Sequence, residues 1–533
     1  MKGLIIFGLF VFSVYIILLY KQKLDWQKVV SGLLLIVMAG FCLYRLGNFP
    51  NIFIDEANYY YDAQSLVKYG VDSHLMKYPI YFQSFLGQGQ SSLYAYMSFP
   101  ILKCLGISIY NFRLTQVIVA MISMLFMCYL LNKYYSKLLL PITTAFSTAP
   151  YLLTEVRYAM DCNIAIWIML LGICLLFLGL NTKNYKRVFS LLLFYLLLGL
   201  SAYSYNVSWL YLPLIVIGVS YLLVANKVVS IRNLVIYLVG MAIELIPIII
   251  FAIRSNISSL NKTFLFGPFT IPKLPVSRAN SSFIDFHGNI LKNILNNIYN
   301  GTVSLFWGSD DLPWNSFPNF GAYYLFAILL FLIGLKVIYS MRRKIEIQIM
   351  VVYLLSNLLI WMIVQPNYNH WMFSHIPNLF VIGLGIYSLP NVSFKTTVFT
   401  YMLTIVVFAN TYYKLPRYTG FEISSIQSVK YMEERTDDSK VYFDTPDKNF
   451  LLIVRDFSNK SPYLFQKTKD HPYSTKYLMA YEKYDRYKKL SEKEKLTSGN
   501  YLVTNQMNFS KEYKRVGKPF FLGNIQYYLY RKE

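Results

Sequence analysis

Apolar runs separated by short basic connectors fill the first 413 positions of the chain. A helix crossing the hydrocarbon layer needs about 20 mostly apolar residues, and about twelve stretches meet that requirement. They are 3–20, 29–47, 109–131, 138–155, 162–180, 188–204, 206–225, 233–253, 322–340, 347–364, 372–390 and 394–413. The pattern predicts a polytopic α-helical membrane module over residues 1–413.

Lys and Arg in short loops mark the cytoplasmic side. Lys21, Lys23 and Lys28, then Lys133 and Lys137, then Lys183, Lys186 and Arg187 fall in alternate loops. Lys227 and Arg232, Arg342 to Lys344, and Lys395 continue the alternation. The loops 48–108, 254–321 and 365–371 are therefore expected outside, with the N-terminus and everything after residue 413. Residues 3–20 are read as a retained helix, because a basic loop follows rather than a small-residue cleavage site.

Three outward segments are long enough to carry a site. In the loop 48–108, Glu56 to Tyr69 has helical spacing (Tyr59, Ala63, Leu66, Val67) and ends at Gly70, where helices commonly stop. Ser91 to Leu105 forms a second amphipathic stretch after the turn Gly87-Gln88-Gly89-Gln90. Both read as helices in the membrane interface. The loop 254–321 carries Pro268, Pro272, Pro275, Asp310, Asp311, Pro313 and Pro318. It is too irregular for a span and too long for a simple connector. The tail 414–533 holds more than half of the chain's acids. Its strand-like runs 440–443, 450–454, 501–504 and 525–530 predict a small extracytoplasmic α/β domain.

Composition agrees. The chain is 56% hydrophobic and 14% charged, whereas soluble domains are about 25% charged. The net charge of +23 is read as contact with anionic lipid headgroups, since much of the excess lies in the cytoplasmic loops; no nucleic-acid partner is expected. The five cysteines lie in or near the membrane module with no C-x-x-C pair, so no disulfide framework or zinc site is indicated. No Walker, Rossmann or G-x-S-x-G motif stands in a credible context. No cofactor is expected, and the need for a divalent metal is left open.

The chief chemical signal is the adjacent acid pair Asp55-Glu56, followed by Asn58-Tyr59-Tyr60-Tyr61-Asp62. Acids in the first turn of a helix also compensate its dipole, so a structural reading stands beside a catalytic one. At the outer face of a bilayer, a carboxylate can take the proton from a hydroxyl of a lipid-linked substrate's partner. Arg113, in Asn111-Phe112-Arg113-Leu114, stands at the mouth of a span, and Glu155, Arg157 and Asp161 cluster at the outer ends of two others. Such charges at membrane depth pair with each other or serve a site, for example by holding a phosphate. Arg254 ends another span, and Glu244, inside the same span, is read as structural. His74 beside Lys77, and His370 in the turn 365–371, are candidate substrate contacts.

The stretches Phe53-Ile54-Asp55-Glu56-Ala57-Asn58, Asn111-Phe112-Arg113-Leu114 and Glu155-Val156-Arg157-Tyr158-Ala159-Met160-Asp161-Cys162-Asn163 together resemble the GT-C superfamily of polyprenyl-phosphate-sugar-dependent glycosyltransferases. The relatives in view are the protein O-mannosyltransferases and the aminoarabinose transferase of lipid A. Residues 81–96 look like the segment that follows the acid pair in bacterial members. The resemblance implies a GT-C fold and transfer of a sugar, with inversion, from a polyprenyl-phosphate donor to an envelope glycan, glycolipid or protein acceptor outside the cell membrane. It makes Asp55 the base and Glu56 its neighbour. It places Arg113, Arg157 and Asp161 near the donor phosphate or sugar; Arg254, Tyr59, His74, Lys77, Gln83, Gln90 and His370 are further candidates for the same contacts, read from the residues themselves. No stretch resembles the MIR domains of the eukaryotic members, and the turn at His370 departs from the expected Asn-Arg pattern. A lipid-linked-saccharide flippase and an envelope polysaccharide polymerase are the rival readings; a transporter would place its polar site near the midplane between repeated halves.

Overall fold

The computed structural model describes all residues except 1–10, 12, 16–24, 85–86, 276–281, 309, 311, 313–316, 318, 415–423, 446–449, 459, 471–472, 476–477, 492–494 and 523–524. The stretch 3–20 therefore lies almost wholly outside the described residues, as do Asp311, Pro313 and Pro318.

Among the described residues, six helices are long and apolar enough to cross a membrane. They are Trp26–Leu43, Ile109–Tyr134, Ser208–Ala225, Ile231–Asn256, Ile345–Ile363 and Asn391–Lys414. Shorter apolar helices include Leu93–Leu105, Ile164–Leu180 and Ala327–Ser340. Local chemistry sets the ends. Asp25 caps the first of these helices by accepting from the Lys28 N–H at 3.0 Å, which satisfies one of the donors a helix start leaves open.

Expectations change at two places before residue 413. The stretch 138–155 is not one helix but two, Leu139–Thr148 and Pro150–Glu155, with Ala149 extended between them. Proline lacks an N–H and pushes the preceding residue out of the helical region, so the break falls where the sequence places Pro150. The loop 254–321 is more ordered than its prolines suggest. It holds a hairpin, Phe264–Phe266 with Phe269–Ile271, and a 17-residue helix, Ile290–Phe306, capped by Asn289.

The chain packs as two compact units, neither continuous in sequence. One comprises Met1–Leu46, Arg113–Ile249 and Ala279–Pro416; the other comprises Gly47–Phe112, Ile250–Arg278 and Arg417–Glu533. The second unit thus unites the first loop with the tail. Its sheet runs in the order Tyr513–Arg515, Ile525–Lys532, Tyr501–Thr504, Val441–Asp444, Tyr487–Lys489, Lys483–Tyr484, with Phe520–Leu522 also on Ile525–Lys532. The central strands Tyr501–Thr504 and Val441–Asp444 are parallel and buried, as expected for strands covered on both faces. Residues 450–454, expected as a strand, are instead part of the helix Phe450–Phe457.

Candidate active site

The first loop builds its site on the helix Ile54–Tyr69. Asp55 and Glu56 occupy the first turn and Lys68 the last, each at the end the helix dipole favours. Gly70 closes the helix in the left-handed conformation at φ 70°, its N–H donating to the Leu66 carbonyl. Asp55 is half-buried, while Glu56 is fully buried.

Residues 55, 58 and 62 recur at helical spacing, so they share one face. On that face Gln90, from the strand Gly89–Ser91, donates through Nε2 to the Asp55 carbonyl at 3.4 Å and accepts from Asn58 Nδ2 at 3.3 Å. The partner strand, Tyr81–Gln83, aligns Gln83 with Gly89. Gln90 therefore ties the hairpin to the turn that carries the acid pair. Tyr59 packs inward against Phe82, Tyr94 and Phe112, and its hydroxyl accepts from the Ala95 N–H at 2.9 Å. Its place is in the core.

The same helix face meets the tail. Arg455 donates from Nη2 to Asn58 Oδ1 at 2.9 Å and pairs with Asp456 at 2.7 Å, its guanidinium 4.8 Å from the centre of the Tyr61 ring. Both members of the ion pair are buried. Gln64 donates to the Asp456 carbonyl at 3.1 Å. Asp62 accepts from the Ser73 N–H at 2.8 Å, and Asp72 accepts from the N–H groups of His74 and Met76. Burial pushes Asp62 and Asp72 above the ordinary carboxylate range; the Ser73 hydrogen bonds and Arg455 pull Asp62 back, whereas the charge of Asp62 raises Asp72 further. Burial, followed by the charges of Lys469 and Arg455, lowers the His74 imidazole to about 3, so it is neutral at physiological pH.

Sequence reasoning gives no role to Arg455, Asp456, Asp62 or Asp72, all four of which build this network. The one local signal for the tail's share is the Arg455-Asp456 pair, which closes the apolar run 450–454.

Lys77 is exposed, and its carbonyl accepts from Thr270 Oγ1 at 2.7 Å. Arg254 lies over the Phe264 ring at 4.5 Å, and its Nε is buried with no hydrogen-bond partner among the described residues.

The other unit holds the remaining candidates. Arg157 donates to the carbonyls of Phe41, Cys42 (2.9 Å) and Tyr44 (2.8 Å), and Arg113 donates to the Leu46 carbonyl at 3.0 Å. Both cations sit at the carbonyl end of the helix Trp26–Leu43, where positive charge is favoured. Glu155 accepts from Gln116 at 2.9 Å and Trp167 at 3.2 Å. Asp161 is buried in the turn that follows. His370 stacks near Tyr205, its Nδ1 2.9 Å from the Gln365 carbonyl. Among the described residues, no three His, Cys, Asp or Glu side chains come together as a metal site.

No protein-family model matches the chain, and no curated protein matches its sequence. Solved structures do match in fold. ArnT from Cupriavidus metallidurans bound to undecaprenyl phosphate aligns with a TM-score of 0.50 and 10% identity, over 81% of this chain and 84% of that one. The oligosaccharyltransferase of Archaeoglobus fulgidus aligns with a TM-score of 0.51 and 11% identity, over 82% of this chain and 64% of that one. The fold is of the GT-C type.

Proposed function

We propose that this chain is an inverting glycosyltransferase that moves a sugar from a polyprenyl-phosphate donor to an envelope acceptor at the outer face of the cell membrane. The observation that carries the reading is the acid pair Asp55-Glu56 in the first turn of the helix Ile54–Tyr69, in a chain of GT-C fold. A similar fold in ArnT binds undecaprenyl phosphate, which supports a lipid-phosphate donor here.

In this reading Asp55 takes the proton from the acceptor hydroxyl as that oxygen attacks the anomeric carbon, and the polyprenyl phosphate leaves from the opposite face. The dipole of the helix favours negative charge at that turn, and Gln90 positions the turn. Arg254 is the preferred phosphate partner, since its Nε is buried without a hydrogen-bond partner among the described residues; a fixed guanidinium there offsets the charge growing on the leaving group. Arg113 and Arg157 donate to main-chain carbonyls, which supports a structural share in their work.

The test is the sugar and linkage composition of the envelope in a deletion strain complemented with the native chain or Asp55→Asn. The expected result is that one sugar disappears and only the native chain restores it. Restoration by a folded, inserted Asp55→Asn would overturn the role of Asp55. Movement of a lipid-linked saccharide across liposomes without any glycosyl product would make the chain a transporter.

A further inference from the structure

The hairpin of Phe264–Phe266 with Phe269–Ile271 turns through Gly267-Pro268. Gly267 has φ 57°, the positive value that tight hairpin loops require of a central residue. Hydrogen bonds fix one strand to the first loop. The Ile80 N–H donates to the Thr270 carbonyl at 3.0 Å, the Thr270 N–H to the Tyr78 carbonyl at 3.2 Å, and Thr270 Oγ1 to the Lys77 carbonyl at 2.7 Å. A side-chain clasp closes the base, where Asn261 Nδ2 donates to the Leu274 carbonyl at 2.6 Å and Asn261 Oδ1 accepts from the Leu274 N–H at 2.9 Å.

The anchored hairpin leaves its apolar end uncovered. Leu265 is 70% exposed, and Phe264 and Phe269 are exposed with it. A hairpin of two strands has no core of its own in which to bury them. The same exposure runs back through Leu260, Ile257 and Ile253 to the helix Ile231–Asn256, which is long and apolar enough to cross a membrane. The exposed apolar positions at the end of that span thus continue onto the hairpin. The charge around them has one sign. Lys262 and Lys273 are exposed, and each adjoins a residue of the clasp, which sets both at the same level of the hairpin base. No Asp or Glu occurs between Glu244 and Asp285. An apolar tip above a cationic base matches the bilayer interface, where the acyl boundary lies beside a layer of phosphates.

We propose that this hairpin is a membrane prong that prefers anionic phospholipid. Phe264, Leu265 and Phe269 enter the acyl boundary, and the ammonium groups of Lys262 and Lys273 take headgroup phosphates. The occupant is the phospholipid of the surrounding bilayer, and the inference stands independently of the transferase reading.

The experiment places a fluorophore at Leu265→Cys in the full-length chain carrying Cys104→Ser, the other four cysteines being buried. The labelled protein is reconstituted in nanodiscs of phosphatidylcholine and phosphatidylglycerol, with bromine on the acyl chains of one lipid or the other. Bromine quenches only a fluorophore that lies close by within the bilayer. Both brominated lipids should quench the label, and at equal mole fraction brominated phosphatidylglycerol should do so about 5-fold more strongly, the enrichment that one surface lysine supplies. The double variant Lys262→Gln/Lys273→Gln should lose that excess and keep the quenching by brominated phosphatidylcholine, which shows that it is folded and inserted. Lys262→Arg/Lys273→Arg should keep both. A label that neither lipid quenches, equal quenching by the two, an excess that survives Lys262→Gln/Lys273→Gln, or its loss in the arginine variant would overturn the proposal. So would an excess that inorganic phosphate removes at matched ionic strength, since the lysines would then hold a free anion rather than a headgroup.

Discussion

Two loop helices, Ile54–Tyr69 and Ile290–Phe306, both turn polar residues inward, yet they do so on different terms. The second exposes Leu291, Leu295, Tyr299 and Val303 at i, i+4 spacing, with Tyr299 69% exposed, and buries Asn297 and Gly301. Asn297 donates to the carbonyls of Trp361 and Val364 at 2.8 Å each, so its inward polarity is neutral and its outward stripe suits hydrocarbon. The first buries Glu56, Asn58, Asp62 and Gln64, and its inward face meets the charges of Arg455 and Asp456. The helix Ile290–Phe306 satisfies main-chain dipoles with an amide, whereas the helix Ile54–Tyr69 meets a buried ion pair. The second strategy is costlier to break and it titrates.

Arg455→Met gives the largest test of that difference. It leaves Asp456 and Asp62 buried without their cation, so a loss of about 3–5 kcal/mol is expected. Adding Asp456→Leu should recover part of it, because the uncompensated charge leaves with its partner. Thermal unfolding of the three variants measures both steps. An Arg455→Met protein as stable as the native chain would mean that charge balance does not hold this helix.

Gly301→Ala probes the neutral helix. A Cβ at Gly301 would lie 1.9 Å from the Trp371 ring, and that indole donates to the Val364 carbonyl at 3.1 Å. Overpacking of this kind costs about 1–3 kcal/mol. Denaturant titration should show the loss without any dependence on pH. A neutral outcome would mean that Trp371 moves aside freely.

Much of this was legible in the chain. Six of the twelve apolar runs coincide with helices that, among the described residues, are long and apolar enough to cross a membrane, and Gly70 marked the end of the loop helix where the structure ends it. The expected runs 501–504 and 525–530 are strands. The break at Pro150 was visible but hidden inside a hydropathy window. Phe450 to Val454 was ambiguous because a short apolar run has no decisive period. The link from Arg455 to Asn58 joins residues 397 positions apart, and no local pattern encodes it. The helix Ile290–Phe306 was masked by flanking prolines, although Leu291, Leu295, Tyr299 and Val303 already spelled its stripe.

Asp72→Asn gives an effect whose size depends on pH. Burial and Asp62 raise the Asp72 carboxyl, and its Oδ2 is buried with no hydrogen-bond partner among the described residues. A carboxyl whose pKa rises on folding contributes stability that is fully present below its unfolded value of about 4 and is lost as pH climbs through the folded value. His74, lowered to about 3, acts in the opposite sense: its contribution is present above about 6.5 and is lost as pH falls. The histidine is common to both proteins and largely cancels in their difference. Asparagine keeps an oxygen to accept from the His74 and Met76 N–H groups but carries no charge. The variant should therefore match the native chain near pH 5 and exceed it by a margin that widens as pH rises toward 8.5. Melting curves across that interval decide the matter: a native chain that gains on the variant as pH rises would show that Asp72 is stabilised as the carboxylate, and that this unit tolerates buried negative charge without protonating it.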